Sequence, residues 1–334
     1  MTAEALLALA ILAALVVYAL AGGADYGGGM WDLLATGPRA RRQREAIEHA
    51  IGPIWEANHV WLILVLVVLF SAFPPAFAAI MTALNVPMTL VVLGIVARGS
   101  AFVFRKYDVQ ADAVHRRWSG VFGVASFLTP FFLGLVLGGL ASGDIRVEGG
   151  RVTSGFLAGW TSPFAVGVGL YAQGLFAFLA ATYLTVDTEG EADLQEDFRR
   201  RALAAGVCLA PLALLVFVLS RHGAPEIFQT LAGAQGLLLF LGTSVCALGA
   251  LAALWRRRYR WARAAAVAQV TLILLGWGIG QHPYVIVPDV TFESAKTAEP
   301  TLRLLVWTLG GGTVVLLPSF AYLFRVFKSR DRRA

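Results

Sequence analysis

The sequence predicts an all-α integral membrane protein of about nine transmembrane helices, and three observations carry that reading. Of its 334 residues, 58% are hydrophobic and only 14% are charged, with a mean hydropathy of +0.70. A water-soluble domain carries about 25% charged residues. The apolar residues come in unbroken runs of about 20, the length that crosses a bilayer core as a helix. The Lys and Arg residues fall between these runs, concentrated in alternate loops.

Nine spans are predicted, over 3–23, 54–73, 76–97, 119–140, 160–184, 202–220, 227–254, 261–280 and 302–324. The first apolar run, 5–20, has the length of a signal-peptide core. Residues 1–5 carry Glu4 and no basic charge, however, and the basic flank at 39–44 follows the run, so it reads as a retained helix. Pro74 and Pro75 separate the second and third spans, since proline stops one helix and starts the next. Gly134 and Gly138, four residues apart, are expected to let two helices approach closely, as are Gly310, Gly311 and Gly312 in the last span. Trp31, Trp55, Trp61, Trp118 and Trp160 lie near span ends, where aromatic belts form.

The charges orient the spans. The odd-numbered loops and the C-terminal tail hold 22 of the 27 Lys and Arg residues, and the opposite side holds 5. The positive-inside rule then puts the N-terminus outside and the C-terminus inside. The net charge of +6 accordingly sets orientation and implies no nucleic-acid partner. Spans 1–4 and 5–8 each place a five-charge basic loop between their third and fourth helices. This suggests a pseudo-repeat of 1–145 and 155–282, two four-helix bundles with one peripheral helix over 302–324, within a single transmembrane domain 1–334.

The stretch from Gly22 to Trp61 concentrates the chemistry. It reads GGADYGGGMWDLL and then RARRQREAIEHAIGPIWEANHVW. Asp25 is placed at the inner end of the first helix; Glu56, Asn58 and His59 are placed at the inner end of the second. Glu56 and His59, three residues apart, share a helix face. Ionisable groups at membrane depth cost several kcal/mol and often mark proton or ion routes; equally, Asp25, Glu56 and Asn58 at helix ends cap or anchor those ends near water. Gly27, Gly28 and Gly29 lack the GK[ST] ending of a phosphate loop and read as a flexible membrane exit. Arg98, taken as the end of the third helix and followed by Arg105 and Lys106, lies on the side of Asp25 and Glu56. An arginine there holds a carboxylate or a lipid phosphate or simply snorkels, and snorkelling is the simplest reading.

The remaining polar residues exclude more than they propose. Cys208 and Cys246 lie inside apolar runs, without CxxC spacing, and read as packing residues. Of the five histidines, His49, His59, His115, His222 and His282, no two share a helix at i,i+3 or i,i+4. A haem or copper site in a bilayer needs ligands on facing helices, so no metal site is expected in this chain. The loop after Gln281, His282, Pro283 and Tyr284, with Asp289, Glu293 and Glu299, is either a docking surface or plain solvated surface.

GADYGGGMWDLL followed by RQREAIEHAIGPIWEANHVWLI resembles subunit II of the cytochrome bd-type quinol oxidases, and looks closest to the branch called cyanide-insensitive oxidases. The resemblance extends along the whole chain and implies a bacterial cytoplasmic membrane protein of nine helices. It implies a complex that reduces O2 to water with electrons from a membrane quinol. The haems, b and d, and quinol oxidation belong to subunit I. Subunit II carries none of them, packs against subunit I, and contributes a cytoplasmic proton path.

By position in the shared motifs, the resemblance makes Asp25, Glu56 and His59 proton-path candidates, with Asn58, Trp61 and Arg98 in supporting roles. Other members have an acid where this chain has Gly22, an aspartate where it has Val103, and glutamine where it has His59. A structural quinone or lipid and a small accessory subunit are further expected associates. Two other readings stand beside this one. A proton-coupled secondary transporter would place its site near the midplane on broken helices, unlike the cluster at one end seen here. A purely structural assembly subunit would not need the acids at all.

Overall fold

In a computed structural model of the chain, residues 1–52, 55–107 and 112–330 are described, with only the backbone of 106–107, 112–116, 235 and 324–330. The predicted start of the second span at residue 54 and the tail arginines Arg332 and Arg333 lie outside the described residues. The helices are α1 (Ala3–Leu33), α2 (Ala40–Ile51), α3 (Trp55–Ala72), α4 (Pro74–Ala83), α5 (Asn85–Tyr107), α6 (Asp112–Ala141) and α7 (Pro163–Asp187). They continue as α8 (Ala192–Gly223), α9 (Pro225–Ala232), α10 (Ala234–Trp255), α11 (Tyr259–Gln281), α12 (Phe292–Ala295) and α13 (Glu299–Arg330). Two short antiparallel hairpins, β1 (Val147–Glu148) with β2 (Arg151–Val152) and β3 (Tyr284–Ile286) with β4 (Val290–Thr291), lie at one end of the bundle.

Among the described residues, 9 helices are long and apolar enough to cross a membrane, as the sequence predicts. Three boundaries differ in ways that matter for the site. The first span does not stop near residue 23 but runs to Leu33, carrying Asp25 two turns inside the helix. The third predicted span is two helices: α4 is a short segment, and the spanning helix α5 starts at Asn85 and carries both Arg98 and Arg105 within it. The seventh is also broken, because Gly233 adopts an extended conformation between α9 and α10.

Helix α1 is the hub, packing against α3, α6, α7, α11 and α13. At the hairpin end, an apolar cluster that includes Phe73, Leu84, Ile145, Ile286 and Leu302 closes the bundle. At the arginine-rich end, α2 is amphipathic and lays Ile47 and Ile51 on Leu184, Leu194 and Phe198. Its polar side is tied to α8: Arg39 donates twice to Asp197, Gln43 Nε2 donates to the same carboxylate, and Arg201 donates to Gln43 Oε1.

Close helix contacts fall where the spacing of small residues predicts them in one case and not in the other. A Cβ on Gly134 would sit 2.6 Å from the Cα of Gly169, and one on Gly138 would sit 2.7 Å from the Cα of Ala165. These two glycines let α6 and α7 meet backbone to backbone. Gly310, Gly311 and Gly312 have nothing within 4 Å, because that stretch of α13 stands away from the other helices. The tryptophans divide similarly. Trp31 does not serve as a belt residue: its indole N–H donates to the Ala177 carbonyl on α7 (2.8 Å). Trp255 and Trp261, at the ends of α10 and α11, and Trp307 on α13 are exposed. Cys208 is exposed on α8 rather than packed, and both cysteines are free.

The loop after α11 docks onto its own chain. Asp289 accepts two hydrogen bonds from Arg146 (2.8 and 2.9 Å) and one from the Val147 amide, joining the two hairpins. Burial alone would raise the Asp289 carboxyl, but the Arg146 and Val147 hydrogen bonds outweigh it and hold the group below its usual 3.8. A carboxylate depressed in the folded state stabilises above its unfolded pKa, and that contribution is lost as pH falls through the folded value. Amide exchange in 284–291, corrected for intrinsic rates, is therefore expected to stay flat above the usual 3.8 and to accelerate below it. Asp289→Asn should show the faster exchange already at neutral pH. With both partners partly exposed to water, the effect should stay local.

Candidate functional site

The site is built where α1, α3, α5 and α6 converge. Glycine is usually unfavourable inside a helix, yet Gly22, Gly23, Gly27, Gly28 and Gly29 are all helical and buried in α1. A Cβ on Gly27 would lie 2.0 Å from the Phe176 carbonyl oxygen, one on Gly28 2.6 Å from Ile51, and one on Gly29 2.1 Å from the Ser126 hydroxyl. The glycine run is therefore not a flexible exit. It lets α7, α2 and α6 close around α1, and so buries the polar residues between the glycines.

Asp25 is 4% exposed and accepts a hydrogen bond from Asn58 Nδ2, and Asn58 is itself 1% exposed. Reading these two as helix-end caps is thus overturned: both lie inside the protein, and each needs a partner because an unsatisfied buried polar group costs about 1–3 kcal/mol. His59 is half-buried, with its ring 6.0 Å from Tyr18, 6.1 Å from Tyr26 and 6.4 Å from Trp55. Its Nδ1 is buried without a hydrogen-bond partner among the described residues. The hydroxyls of Tyr18 and Tyr26 lie 3.2 Å apart and complete a polar thread along α1.

Arg98 does not snorkel. It is 1% exposed, its Nε donates to Ser126 Oγ (3.1 Å), and its guanidinium lies 4.9 Å from the Tyr26 ring and 5.2 Å from the Phe122 ring. The aromatic faces supply part of the stabilisation that water would give a cation. Two turns closer to the arginine-rich end, Arg105 bridges Asp32 (3.1 and 3.2 Å) and Glu48 (2.8 Å). Both Arg105 and Asp32 are buried, so removing Arg105 would strand the Asp32 charge, whereas Glu48 would still partner Arg105 if Asp32 were lost. Tyr18, Tyr26, Asp32 and Ser126 belong to this site and were not among the residues singled out in the sequence, whereas Arg105 holds carboxylates as one of the readings for an arginine there has it. Apart from the Tyr18–Tyr26 pair, eight residues apart, their partners lie tens of residues away in the chain.

Glu56 is placed differently from the rest. It is exposed, and it does not share the environment of His59 three residues on. It heads a strip of exposed residues on α3 that continues through Val60, Ile63, Val67 and Phe70. Trp61 points the other way, stacking on Phe320 of α13 at 5.4 Å. Two of the three positions where the resemblance has other residues also part company. Gly22 lies under the Tyr18 ring, which would crowd a Cβ at 2.9 Å, whereas Val103 is on the exposed face of α5. No group of three or more His, Cys, Asp or Glu residues is arranged to hold a metal ion among the described residues.

Residues 3–327 match the family described as cytochrome bd terminal oxidase subunit II. The chain is similar to the putative cytochrome bd menaquinol oxidase subunit II of Bacillus subtilis, 24% identical over 99% of this chain and 97% of the relative. It is 29% identical to cytochrome bd-I ubiquinol oxidase subunit 2 of Escherichia coli, over 59% of this chain and 51% of that one. Its fold matches a chain in the structure of the bd oxidase from Geobacillus thermodenitrificans with a TM-score of 0.77, over 98% of this chain and 99% of that one, at 21% identity. With a family match along nearly its whole length and nine apolar spans, the chain is a multi-pass bacterial membrane protein that belongs to the cytochrome bd terminal oxidase subunit II family.

Proposed function

We propose that this chain is the non-haem subunit II of a quinol:O2 oxidoreductase, pairing with a haem-bearing subunit I and supplying it with protons taken up from the cytoplasm. The observation that carries the reading is a carboxylate, Asp25, held inside a membrane-spanning helix by Asn58, with His59 and Arg98 both against the ring of the neighbouring Tyr26. A buried ionisable group in a span is costly, and such groups typically mark proton or ion routes. Asp25 holds and releases the proton. Asn58 fixes the carboxylate orientation, and Arg98 and Arg105 favour negative charge nearby.

The exposed strip on α3 supports the pairing. Five exposed residues at helical spacing present one carboxylate and four large apolar groups on one face of α3, where among the described residues Phe77 of α4 packs only on the Phe70 end. Glu56 on that face is suited to pass a proton across a subunit boundary, where burial by the partner would shield it from bulk water. The haems b and d belong in subunit I, and the orientation follows from the arginine-rich end lying inside. The pseudo-repeat of 1–145 and 155–282 with an extra C-terminal helix, and a bound structural quinone or lipid, remain parts of this proposal.

Glu56→Gln in the intact oxidase tests it. The expected result is a several-fold slower quinol-dependent O2 consumption, with normal haem content and a normal ratio of the two subunits. Wild-type turnover by that assembled variant would remove Glu56 from the route, and a purely structural role for this subunit would then account for the face.

A further inference from the structure

Between α1, α2, α7 and α11 lies a cavity of about 210 Å³, separate from the Asn58 side of Asp25. The α1 wall is Val17, Leu20, Ala21, Ala24, Asp25 and Gly28, one face of the helix; the α7 wall is Ala180, Tyr183, Leu184 and Asp187 at the same spacing. Asp187 is the last residue of α7, and it pairs with Arg263 near the start of α11 at 3.6 Å. Arg263 in turn lies over the Tyr183 ring at 4.4 Å. Asp187 and Arg263 are partly exposed, while Asp25 is buried, so a single space joins an ion pair at the arginine-rich surface to the buried carboxylate.

We infer that this cavity is the water-filled mouth of the proton route, with Asp187 and Arg263 at its rim and Asp25 on its α1 wall, two turns short of Val17 at the deep end. The inference rests on the proton-uptake reading above and adds the entrance that reading lacks. The small side chains of Ala21, Ala24 and Gly28 matter because they leave the space open. The part between the rim and Asp25 has room for a few waters, each needing about two to four polar partners, and the rim ion pair and Asp25 supply them. The part beyond Asp25, walled by Val17 and Leu20, is apolar. The depth to Asp25 is short: Ala180 flanks Gly27, and the seven residues from Ala180 to Asp187 rise about 10 Å. A chain of a few waters covers that distance. A proton moves from bulk water along the chain to the Asp25 carboxylate, and no other co-reactant is required. Asp187 and Arg263 are positioning residues, keeping a polar surface at the opening.

The test uses the assembled oxidase purified with its partner subunit. Ala24→Phe would fill the cavity and Asp187→Leu would strip its rim, and both are compared with Asp25→Asn. Each of the first two is expected to slow quinol oxidase turnover several-fold at unchanged haem content, with the deficit growing as pH rises and protons become scarce. If Ala24→Phe fails to assemble, Asp187→Leu decides alone. Wild-type turnover and pH profile in these variants, with Asp25→Asn slow, would overturn the mouth while leaving the proton reading intact. Wild-type turnover by Asp25→Asn itself would overturn both. Loss of a stoichiometric co-purified quinone on Ala24→Phe, without loss of turnover, would assign the cavity to a lipid-like molecule and overturn the inference.

Discussion

Asp25→Asn, made in the intact oxidase, is expected to lower quinol-dependent O2 consumption roughly tenfold while the complex still assembles with its full haem content. A positioned proton-transferring side chain is worth about 10²–10⁴-fold, and water bypass around an amide brings the expected loss below that range. The amide matches the carboxylate in size and retains an oxygen to accept the Asn58 hydrogen bond. What it loses is the titratable proton and the negative charge near Arg98. Asp25→Glu should recover part of the rate, since it restores the proton with one more methylene in a crowded place. Equal loss in both variants would point to packing rather than proton transfer.

Gly27→Leu should have the largest structural effect of any single change in the site. A Cβ at that position would lie 2.0 Å from the Phe176 carbonyl oxygen and 2.7 Å from the Ala180 Cβ, so the obstacle is backbone rather than a side chain that can swing away. Overpacking a tight contact costs about 1–3 kcal/mol even where the neighbours can shift, and often more where they cannot. Separation of α1 from α7 would also break the Trp31 hydrogen bond to Ala177 and open the apolar contacts around Asp25. The expected result is loss of most assembled oxidase from the membrane, read by subunit recovery and haem absorbance per milligram. Gly310→Leu is the control: with nothing within 4 Å of its Cβ, it should assemble normally within this chain.

The same glycines explain what the sequence makes legible and what it hides. Hydropathy and charge alternation give nine spans because the bilayer imposes a length and the loops carry the arginines. They do not reveal that α1 continues through Gly22 to Leu33, since a glycine-rich stretch around an aspartate has the composition of a loop. Only the partners settle it, as Phe176, Ile51 and Ser126 come too close for any side chain. The acids illustrate the same limit. Asp25 and Asn58 stand out locally, but their burial depends on neighbouring helices. Glu56 sits in the same motif and yet faces outward. Arg98 reads as a helix-end residue because α4 and α5 form one unbroken apolar stretch, and the break at Leu84 moves it well inside α5. The Arg105–Asp32–Glu48 bridge joins residues 73 and 57 positions apart. No spacing rule finds a contact of that separation.

Proton uptake during a single reaction with O2 measures the central claim more directly than turnover does. The fully reduced oxidase, in weakly buffered solution with a pH-indicating dye, is exposed to O2 while the haem absorbance and the dye are followed together. For Asp25→Asn the proposal predicts normal O2 binding, followed by delayed proton uptake and an equally delayed return of the haems to the oxidised state. Uptake as fast as in the wild type, in a variant with full haem content, would contradict the claim that this subunit carries the protons.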